Sequence, residues 1–489
     1  MSIRPALASS KTSALRIARM SPMRFISTRN ASPVAGFSEA LKRGLAPDGG
    51  LYVPERWPAL DVNALMMLGT PHSMSEARSA DASKHNGESA HPLASDARQL
   101  GSEPLTLPPI AAEFLAPLVV GDVLAEPMPA IVNDAFNFPT TLVPLSADGR
   151  LQLLELFHGP TAAFKDFGAR FLAAALARLS KPGERPLKIL VATSGDTGGA
   201  VAAAFHQRPG IEVAVLFPKG LVSPTQERQL TCWGGNVQSF AVRGTFDDCQ
   251  RLVKDAFLDP SLREQFELSS ANSINLGRLL PQAVYYAAAS LAVWRRYGER
   301  ASFVVPSGNL GNVSACIWAR RLGLPIGNII LAHNANRTVT DYLDTGQWRP
   351  RPSIATLASA MDVGNPSNME RLQSLFPDVG QLRGALSADT VDDEAIRQRI
   401  KAGYESFGQI WCPHTATAAE VYERLSAERR RSSHWVLVAT AHPAKFREIV
   451  EPLLGREIPM PQTLSDLLTR PTSCTEIEPS LASLRAALN

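Results

Sequence analysis

The feature that most constrains the fold is a pattern that recurs from residue 151 onwards: a short apolar run, a turn rich in glycine, and then a helix-forming segment. The apolar runs are KILVA (188–192), VAVLF (213–217), VQSFAV (237–242), SFVVP (302–306), NIILA (328–332) and WVLVA (435–439). Runs without polar alternation indicate strands that are buried on both faces, as in parallel sheets covered by helices. The sequence therefore predicts an α/β protein with mostly parallel sheets flanked by helices.

The composition limits the classes of partner. The chain has 489 residues, enough for two or three domains, and its 45% hydrophobic and 19% charged residues are typical of a globular protein. A formal net charge of +3 without a dense basic run does not indicate a nucleic-acid surface. No apolar stretch approaches the ~20 residues that span a bilayer. We therefore expect neither nucleic acid nor a membrane as partner.

Cysteine usage and the first residues bear on the compartment. The five cysteines are scattered and form no CxxC pair, which favours a reducing compartment, the cytoplasm, and no zinc site. Residues 1–22 contain four basic residues and no acidic one. That composition fits a mitochondrial transit peptide, and it fits equally a mis-assigned start upstream of Met20 or Met23.

Residues from about 70 to 104 differ in composition from the rest of the chain. They are rich in Ser, Ala, His and Asp and have almost no large apolar residue, which predicts a flexible surface insertion. His72, His85 and His91 lie there without a fixed metal-ligand spacing, so solvated side chains are favoured over a metal site. The apolar pattern of IAAEFLAPLVVGDVL (110–124) then predicts a helix.

Three strand-to-helix turns carry unusual residues, and ligands of open α/β sheets bind at the carboxyl ends of strands. Ser307–Asn312 (SGNLGN) could bring backbone N–H groups to a phosphate, or be only a tight turn. Thr193–Gly199 (TSGDTGG) suits a carboxylate or phosphate, or equally a capped helix. In the third turn Thr440 could meet a ligand, whereas a cap or a buried hydrogen bond is favoured for His442.

Lys165 is an isolated lysine in the stretch HGPTAAFKDFGARF, between Phe164 and Phe167. Apolar neighbours disfavour the charged amine, so the pKa of this lysine should fall and the amine should become able to form a Schiff base. By itself the pattern also fits a lysine that starts a helix and reaches into solvent. Together with the SGNLGN turn it meets the needs of pyridoxal phosphate, an amine partner and a phosphate anchor.

Five motifs in this order and spacing closely resemble the threonine synthase family of fold-type II pyridoxal-phosphate enzymes: HGPTAAFKDFGARF, ATSGDTGGAV, NSINLGR, PSGNLGN and TAHPAKF. FISTRNASPVAGFSEALKRGLAPDGGLYVPE resembles the start of that family. The resemblance runs from about residue 23 to 450, without the insertion. It implies a fold like that of the tryptophan synthase β-subunit, with an amino-terminal domain (23–150), an α/β domain with the lysine and substrate loops (151–300), and an α/β domain with the phosphate loop (301–489).

The resemblance also implies roles for individual residues. The cofactor-binding residues would be Lys165, Gly308, Asn309, Leu310, Asn312 and Thr440, with Lys165 also catalytic. The substrate-binding residues would be Thr193, Ser194, Asp196, Thr197, Asn272, Ser273 and Arg278, the last three holding a phosphate.

The implied activity is that of a carbon–oxygen lyase acting on phosphates, which converts O-phospho-L-homoserine and water to L-threonine and phosphate. Three alternatives stay open: a related phospholyase that releases a keto acid, a serine or cysteine enzyme of the same fold, and a non-catalytic relative. The pattern leaves monomer and homodimer equally open.

Overall fold

The computed structural model describes residues 20–68, 101–181 and 183–488. Most of the predicted leader (residues 1–22) and of the predicted insertion (about 70–104) lies outside these ranges. The last two residues of the predicted insertion, Glu103–Pro104, form a short strand rather than a flexible loop. The strands are β1 Phe25–Ser27, β2 Tyr52–Pro54, β3 Glu103–Pro104, β4 Thr141–Pro144, β5 Leu151–Glu155, β6 Leu187–Ala192, β7 Ile211–Pro218, β8 Val237–Val242, β9 Glu267–Ser270, β10 Ala301–Pro306, β11 Ile326–His333, β12 Ser387–Thr390, β13 His434–Ala439 and β14 Thr475–Ile477.

The helices cover both faces of the sheets. They are α1 Phe37–Arg43, α2 Val62–Leu68, α3 Leu107–Leu115, α4 Met128–Ala135, α5 Lys165–Leu179, α6 Asp196–Phe205, α7 Pro224–Thr231, α8 Phe246–Leu258, α9 Pro260–Gln265, α10 Leu276–Leu279, α11 Gln282–Tyr297, α12 Gly311–Arg321, α13 Thr338–Thr345, α14 Met369–Leu375, α15 Val379–Ala385, α16 Asp393–Phe407, α17 Pro413–Glu423, α18 Ala427–Arg431, α19 Arg447–Leu454, α20 Gln462–Leu468 and α21 Leu481–Leu488. Short 3-10 turns lie at Ala116–Leu118, Ser359–Met361 and Pro443–Phe446. Among the described residues, no helix is long and apolar enough to cross a bilayer.

Two mainly parallel sheets form the framework. The first has the strand order β12-β11-β10-β13-β5-β4-β3, in which β12 to β5 pair in parallel and β5-β4-β3 pair antiparallel. The second has the order β14-β8-β7-β6-β9 and all its pairs are parallel. The six predicted strands are all present, and the predicted α/β class is confirmed. The antiparallel edge was not predicted, because the strands were recognised as continuous apolar runs. Strand β4 has only four residues, and these alternate between buried and partly buried.

The division into sheets does not coincide with the predicted division of the chain at residues 150 and 300. Strand β5 precedes the lysine loop in sequence. In the seven-stranded sheet it pairs with β13, which lies more than 280 residues further along the chain. Strand β14, near the carboxyl end, joins the five-stranded sheet through β8. The predicted domain boundaries therefore stay a prediction, and the sheets are built from segments far apart in sequence.

The predicted helix over residues 110–124 is shorter than expected. It spans Leu107–Leu115 and continues only as a 3-10 turn at Ala116–Leu118. Pro117 has no N–H to continue the helical hydrogen bonds, and Gly121 adopts a left-handed φ of 74°. The apolar period was correctly recognised, but these two residues end the helix early.

Two helices are buried on nearly all sides and place the candidate site. In α11 every residue from Gln282 to Val293 is buried, and in α5 most residues from Asp166 to Leu176 are. Helices that are apolar all round lie in the interior of a large protein. Because α5 begins at Lys165, that lysine lies at the amino-terminal end of an interior helix.

Gly168 shows how tightly α5 is packed and yields a first prediction. A Cβ at this position would lie 2.4 Å from the carbonyl oxygen of Arg278 and 3.1 Å from its Nε. We expect Gly168→Ala to destabilise the protein by about 1–3 kcal/mol through overpacking. The thermal-unfolding midpoint should fall accordingly.

Gly384→Ala is the matched control. Gly384 also lies in a helix, but a Cβ there would meet nothing within 4 Å. Alanine should be neutral at this position or stabilise the helix by up to ~1 kcal/mol. Equal midpoints for the two variants would contradict the packing described for α5.

Candidate active site

Loops from both sheets meet at the carboxyl ends of β6, β10 and β13. The turns that follow these strands begin at Thr193, Ser307 and Thr440, the three turns singled out in the sequence. The chain segment that carries Lys165 joins them through backbone contacts. The N–H of Phe164 donates to the carbonyl of Thr440 at 2.8 Å, and Ala163 forms an antiparallel bridge with Ala441.

Lys165 is the first residue of α5 and its side chain is only 16% exposed. Burial lowers its pKa to about 8, because a charged amine loses solvation there. The negative charge of Asp196 opposes this effect, and the positive charges of Lys445 and Arg278 add to it. The lysine is therefore partly unprotonated near neutral pH, as a Schiff-base lysine must be.

The two phenylalanines beside Lys165 have different surroundings. The Nζ of Lys165 lies 5.4 Å from the centroid of the Phe164 ring. Phe167 is fully buried and packs against the rings of Phe138 and Tyr285, at centroid distances of 4.7 and 5.1 Å. Two residues along a helix amount to a rotation of about 200°. Phe164 therefore provides the apolar contact predicted for both rings, and Phe167 anchors the helix in the core.

Asp196 lies next to Lys165 and is almost completely buried. Its Oδ2 is 3.9 Å from the Nζ of Lys165, and its Oδ1 accepts hydrogen bonds from Lys445 Nζ at 2.8 Å and Gln226 Nε2 at 3.1 Å. Burial would raise the pKa of this carboxyl, but the charges of Lys445 and Lys165 outweigh that effect and hold the pKa well below its usual range. Asp196 is therefore ionised and shared by two buried lysines.

The hydroxyl groups of the TSGDTGG loop have two kinds of surroundings: one bonds within the loop, and two are half-buried. The hydroxyl of Thr193 accepts from the N–H of Gly195 and Gly198 and donates to the carbonyl of Gly195, so it holds the loop together. The half-buried hydroxyls of Ser194 and Thr197 have no side-chain hydrogen bond within the described part of the chain. These two hydroxyls are the ones free to meet a ligand.

Arg278 is a buried cation without a bound carboxylate. It is 2% exposed, its Nη1 donates to the carbonyl of Ala271, and its buried Nε has no hydrogen-bond partner in the described part of the chain. Burial lowers the pKa of its guanidinium to about 10, opposed by the charge of Asp166. Among the described residues no carboxylate lies within 4 Å of it. An anion is the guest that such a group requires.

Asn272 and Ser273, in the same NSINLGR segment, tie the Arg278 region to the rest of the site. Asn272 Nδ2 donates to the carbonyl of Ala192 at the end of β6, at 2.8 Å. The hydroxyl of Ser273 accepts from Asn309 Nδ2 at 2.8 Å and from Asn368 Nδ2 at 3.2 Å. Ser273 therefore connects the Arg278 segment directly to the SGNLGN turn.

The SGNLGN turn has the geometry of an anion cradle. Leu310 has a left-handed φ of 59° and precedes α12, an eleven-residue helix. A Cβ on Gly308 would lie 2.6 Å from the Cα of Met361, so only glycine fits. In the described part of the chain, the backbone N–H groups of residues 308 to 312 have no protein acceptor. Such N–H groups at a helix start bind phosphate.

The side chains of the two asparagines in this turn are engaged with protein. Asn312 Oδ1 accepts from the hydroxyls of Tyr285 and Tyr286 at 2.5 and 2.7 Å. Asn309 donates to Ser273 and accepts from the N–H of Ser367 at 2.5 Å. The backbone of the turn, rather than its side chains, is left to hold an anion, which also makes the side chain of Leu310 immaterial to binding.

Thr440 and His442 follow β13. Thr440 is 5% exposed, and its hydroxyl has no hydrogen bond to the residues that the structure describes. His442 Nδ1 accepts from the N–H of Ala444 at 3.2 Å, which confirms the predicted cap. Burial lowers the pKa of His442 to about 4, so this imidazole is neutral.

Two residues at the site were not predicted. Lys445 lies in the quoted motif TAHPAKF but was given no role, and its side chain is completely buried against Asp196. His414 Nε2 accepts from the N–H of Ala360 at 3.1 Å, while its buried Nδ1 has no partner among the described residues. A polar residue in the first turn of a helix carries no sign of what it will face across the molecule, so neither could be recognised locally.

Comparison with known proteins agrees with the geometry. Three family models match: pyridoxal-phosphate dependent enzyme over residues 136–441, threonine synthase N terminus over 24–71, and threonine synthase, C-terminal, over 415–488. The threonine synthase of Haemophilus influenzae is 39% identical over 453 residues, covering 92% of this chain and 96% of the relative. This chain belongs to the threonine synthase family.

Solved structures support the same conclusion. The crystal structure of threonine synthase from Escherichia coli superposes with a TM-score of 0.81 at 33% identity, covering 95% of this chain and 99% of that one. The pyridoxal-phosphate-bound threonine synthase from Brucella melitensis gives 0.80 at 32% identity, covering 95% and 98%. The predicted fold class and the predicted cofactor are thus confirmed, whereas the roles of individual site residues stay predictions.

The lowered pKa of Lys165 leads to a second prediction. Only the unprotonated amine reacts with an aldehyde, so the rate at which pyridoxal phosphate labels Lys165 in apoprotein should rise with pH around a midpoint near 8. Labelling is measured by borohydride reduction and peptide mapping. Exposed lysines, which titrate near ~10.4, serve as the internal reference. A midpoint for Lys165 equal to theirs would contradict the described environment.

Proposed function

We propose that this chain is a threonine synthase that converts O-phospho-L-homoserine and water into L-threonine and phosphate. The observation that carries the proposal is that two separate groups of donors without protein acceptors lie around one buried lysine, and each could bind an anion. The N–H groups of residues 308–312 would form one, and the guanidinium of Arg278, whose Nε has no partner among the described residues, would provide the other. A cofactor phosphate and a substrate phosphate need two such sites, and a serine or cysteine enzyme of this fold needs only one.

The residues present fit pyridoxal phosphate. Lys165 supplies the amine for covalent attachment, and the backbone of the SGNLGN turn supplies N–H donors for the phosphate. The hydroxyl of Thr440 is available for the pyridine nitrogen. When bound, the cofactor withdraws electrons from the substrate carbon and stabilises negative charge there.

The remaining residues would orient the substrate. Arg278 would bind its phosphate, with Asn272 and Ser273 shaping the same pocket. The hydroxyls of Ser194 and Thr197 would bind its carboxylate. The Asp196 side chain would not touch that carboxylate, because both groups are negatively charged and Asp196 is already bound by Lys445.

Lys165 would carry out the proton transfers between the substrate atoms. Its Nζ would take the proton from Cα of the substrate and pass it on, and would then accept a proton from Cβ before the γ-phosphate departs. Protonation at Cγ, addition of the hydroxyl of water at Cβ and return of a proton to Cα would complete the reaction. A single amine can accept and return protons when its pKa is close to the working pH, and a pKa of about 8 meets that condition.

We also propose that the reaction takes place in the cytoplasm. All five cysteines are free and four of them are buried, as expected in a reducing compartment. Fractionation of the native host would test this, and recovery with mitochondria would instead favour the transit-peptide interpretation of residues 1–22.

Product analysis tests the proposed reaction and is the third prediction. Holoenzyme given O-phospho-L-homoserine should release L-threonine and phosphate in equal amounts, identified by chromatography. Release of 2-oxobutyrate instead would establish the phospholyase alternative. Lys165→Ala should lose turnover and the absorbance band of the bound cofactor while staying folded. Lys181→Ala is the matched control, because that lysine side chain is 79% exposed.

The role of Arg278 gives the fourth prediction. Arg278→Met removes the charge but keeps an apolar stem of similar length in the buried position. Losing hydrogen bonds to a charged group costs about 1.5–3 kcal/mol each, so kcat/KM should fall by roughly ten- to a hundred-fold or more, mainly through KM.

Cofactor uptake by Arg278→Met should be unchanged, because the SGNLGN turn is intact. Arg278→Lys should recover part of the loss, since a lysine restores the charge but not the planar fork. Loss of cofactor binding in Arg278→Met, with KM unchanged, would contradict a substrate-phosphate role.

A further inference from the structure

Lys445 is a lysine with no exposed side-chain surface. It lies in the 3-10 turn Pro443–Phe446 just after β13. Its Nζ donates to Asp196 Oδ1 at 2.8 Å and to the carbonyl of Thr161 at 2.9 Å. This ion pair joins three segments: the turn after β13, the start of α6 and the loop that leads to Lys165.

The pair is directly connected to the reacting amine. The other oxygen of Asp196, Oδ2, is 3.9 Å from the Nζ of Lys165. Gln226 Nε2 donates to the same oxygen as Lys445 and so fixes the carboxylate further. The Asp196 carboxylate therefore lies between two buried ammonium groups, one of which must lose its proton for the chemistry.

The other titratable groups that face this pair are few among the described residues. The cation Arg278 also acts on Lys165, and the neutral imidazole of His414 lies near both lysines and Asp196. The thiol of Cys412 lies near Asp196, and the neutral imidazole of His442 lies near Lys445. Asp166 lies within electrostatic range of Lys445, and its carboxylate accepts from the N–H and hydroxyl of Thr161. Asp196 is thus the carboxylate closest to Lys165, and Lys445 is its main partner.

We propose that Lys445 is a positioning residue: it holds the Asp196 carboxylate beside Lys165 and, by sharing its charge, sets how readily the Lys165 amine gives up its proton. Without Lys445, the full negative charge of Asp196 would act on Lys165. This charge would stabilise the protonated amine of Lys165, so that amine would keep its proton to higher pH. Without Asp196, the positive charges of Lys445 and Arg278 would act on Lys165 without a compensating carboxylate, and Lys165 would lose its proton too easily. The inference rests on the proposed role of Lys165 as the cofactor-binding amine.

A merely structural role for Lys445 predicts something different. A buried ion pair that only fastened the turn to the Thr161 loop would lower the thermal-unfolding midpoint when broken. It would leave the pH dependence of Lys165 unchanged. The two roles are therefore separated by a titration of Lys165 in the apoprotein, which does not depend on activity.

The experiment measures labelling of apoprotein by pyridoxal phosphate against pH, with borohydride reduction and peptide mapping at Lys165. Lys445→Met should move the midpoint to higher pH, and Asp196→Asn should move it to lower pH. A movement of roughly one pH unit changes the labelling rate at neutral pH about tenfold. The double variant removes both charges, so its midpoint should return towards that of the wild type and its thermal stability should exceed that of either single variant.

Lys188→Met is the matched control. Lys188 is a second buried lysine, with a side chain 5% exposed and paired with Glu212 at 3.0 Å, but it lies at the opposite end of β6. It should lose stability without moving the Lys165 midpoint. If Lys445→Met does not fold, the double variant and Lys445→Arg, which keeps the charge and should stay near the wild-type midpoint, still provide the comparison.

The outcomes are distinct. Opposite shifts in the two single variants support the proposal. Stability losses with an unmoved midpoint, or shifts of the same sign, overturn it and leave the proposed reaction intact. Absence of label at Lys165 in the wild type would instead overturn the proposed function, since another lysine would then bind the cofactor.

Discussion

The ion pair between Asp196 and Lys445, with Lys165 on its other side, is the interaction on which the site geometry depends. Taking ions out of water costs several kcal/mol each unless opposite charges and hydrogen bonds compensate. Here one carboxylate compensates two ammonium groups that come from different segments of the chain. The start of α6, the start of α5 and the turn after β13 must therefore lie where this compensation is possible.

A second hydrogen-bond network fixes the SGNLGN turn relative to the segment that carries Arg278. Asn309 from the SGNLGN turn donates to Ser273, and Asn368 donates both to Ser273 and to the carbonyl of Asn309. Fully buried Arg371 donates to the carbonyls of Ser273, Ile274 and Tyr52, so it links the substrate loop to β2 of the amino-terminal region. Because these side chains satisfy one another, the turn's backbone N–H groups and the guanidinium of Arg278 are the donors left for ligands.

The parts of the fold and site that could be predicted have local causes. WVLVA and the ILVA part of KILVA are apolar because both faces of those strands are covered, and the length of such runs sets the strand bounds to within two residues. SGNLGN requires glycine at residue 308, where Met361 leaves no room for a Cβ. The early end of α3 also has a local cause, Pro117. It was not predicted, because the apolar period of the segment continues past this proline.

The parts that could not be predicted depend on partners far away in sequence. That β5 pairs with β13, and β14 with β8, follows from the packing of whole layers. The same limit applies to Lys445 and His414, whose neighbours in sequence are ordinary helix-start residues.

By itself, the sequence determined the α/β class, the three turns and the one lysine suited to the cofactor, because apolar period, glycine and an isolated lysine are properties of a few adjacent residues. Only the tertiary structure decided which charges share the interior with that lysine. The protonation of Lys165 depends on Asp196, Lys445 and Arg278, which are 31, 280 and 113 residues away in the chain and are brought together by two sheets. Electrostatic interaction in a buried site is set by distance in space and by loss of solvent, neither of which is written in the order of residues.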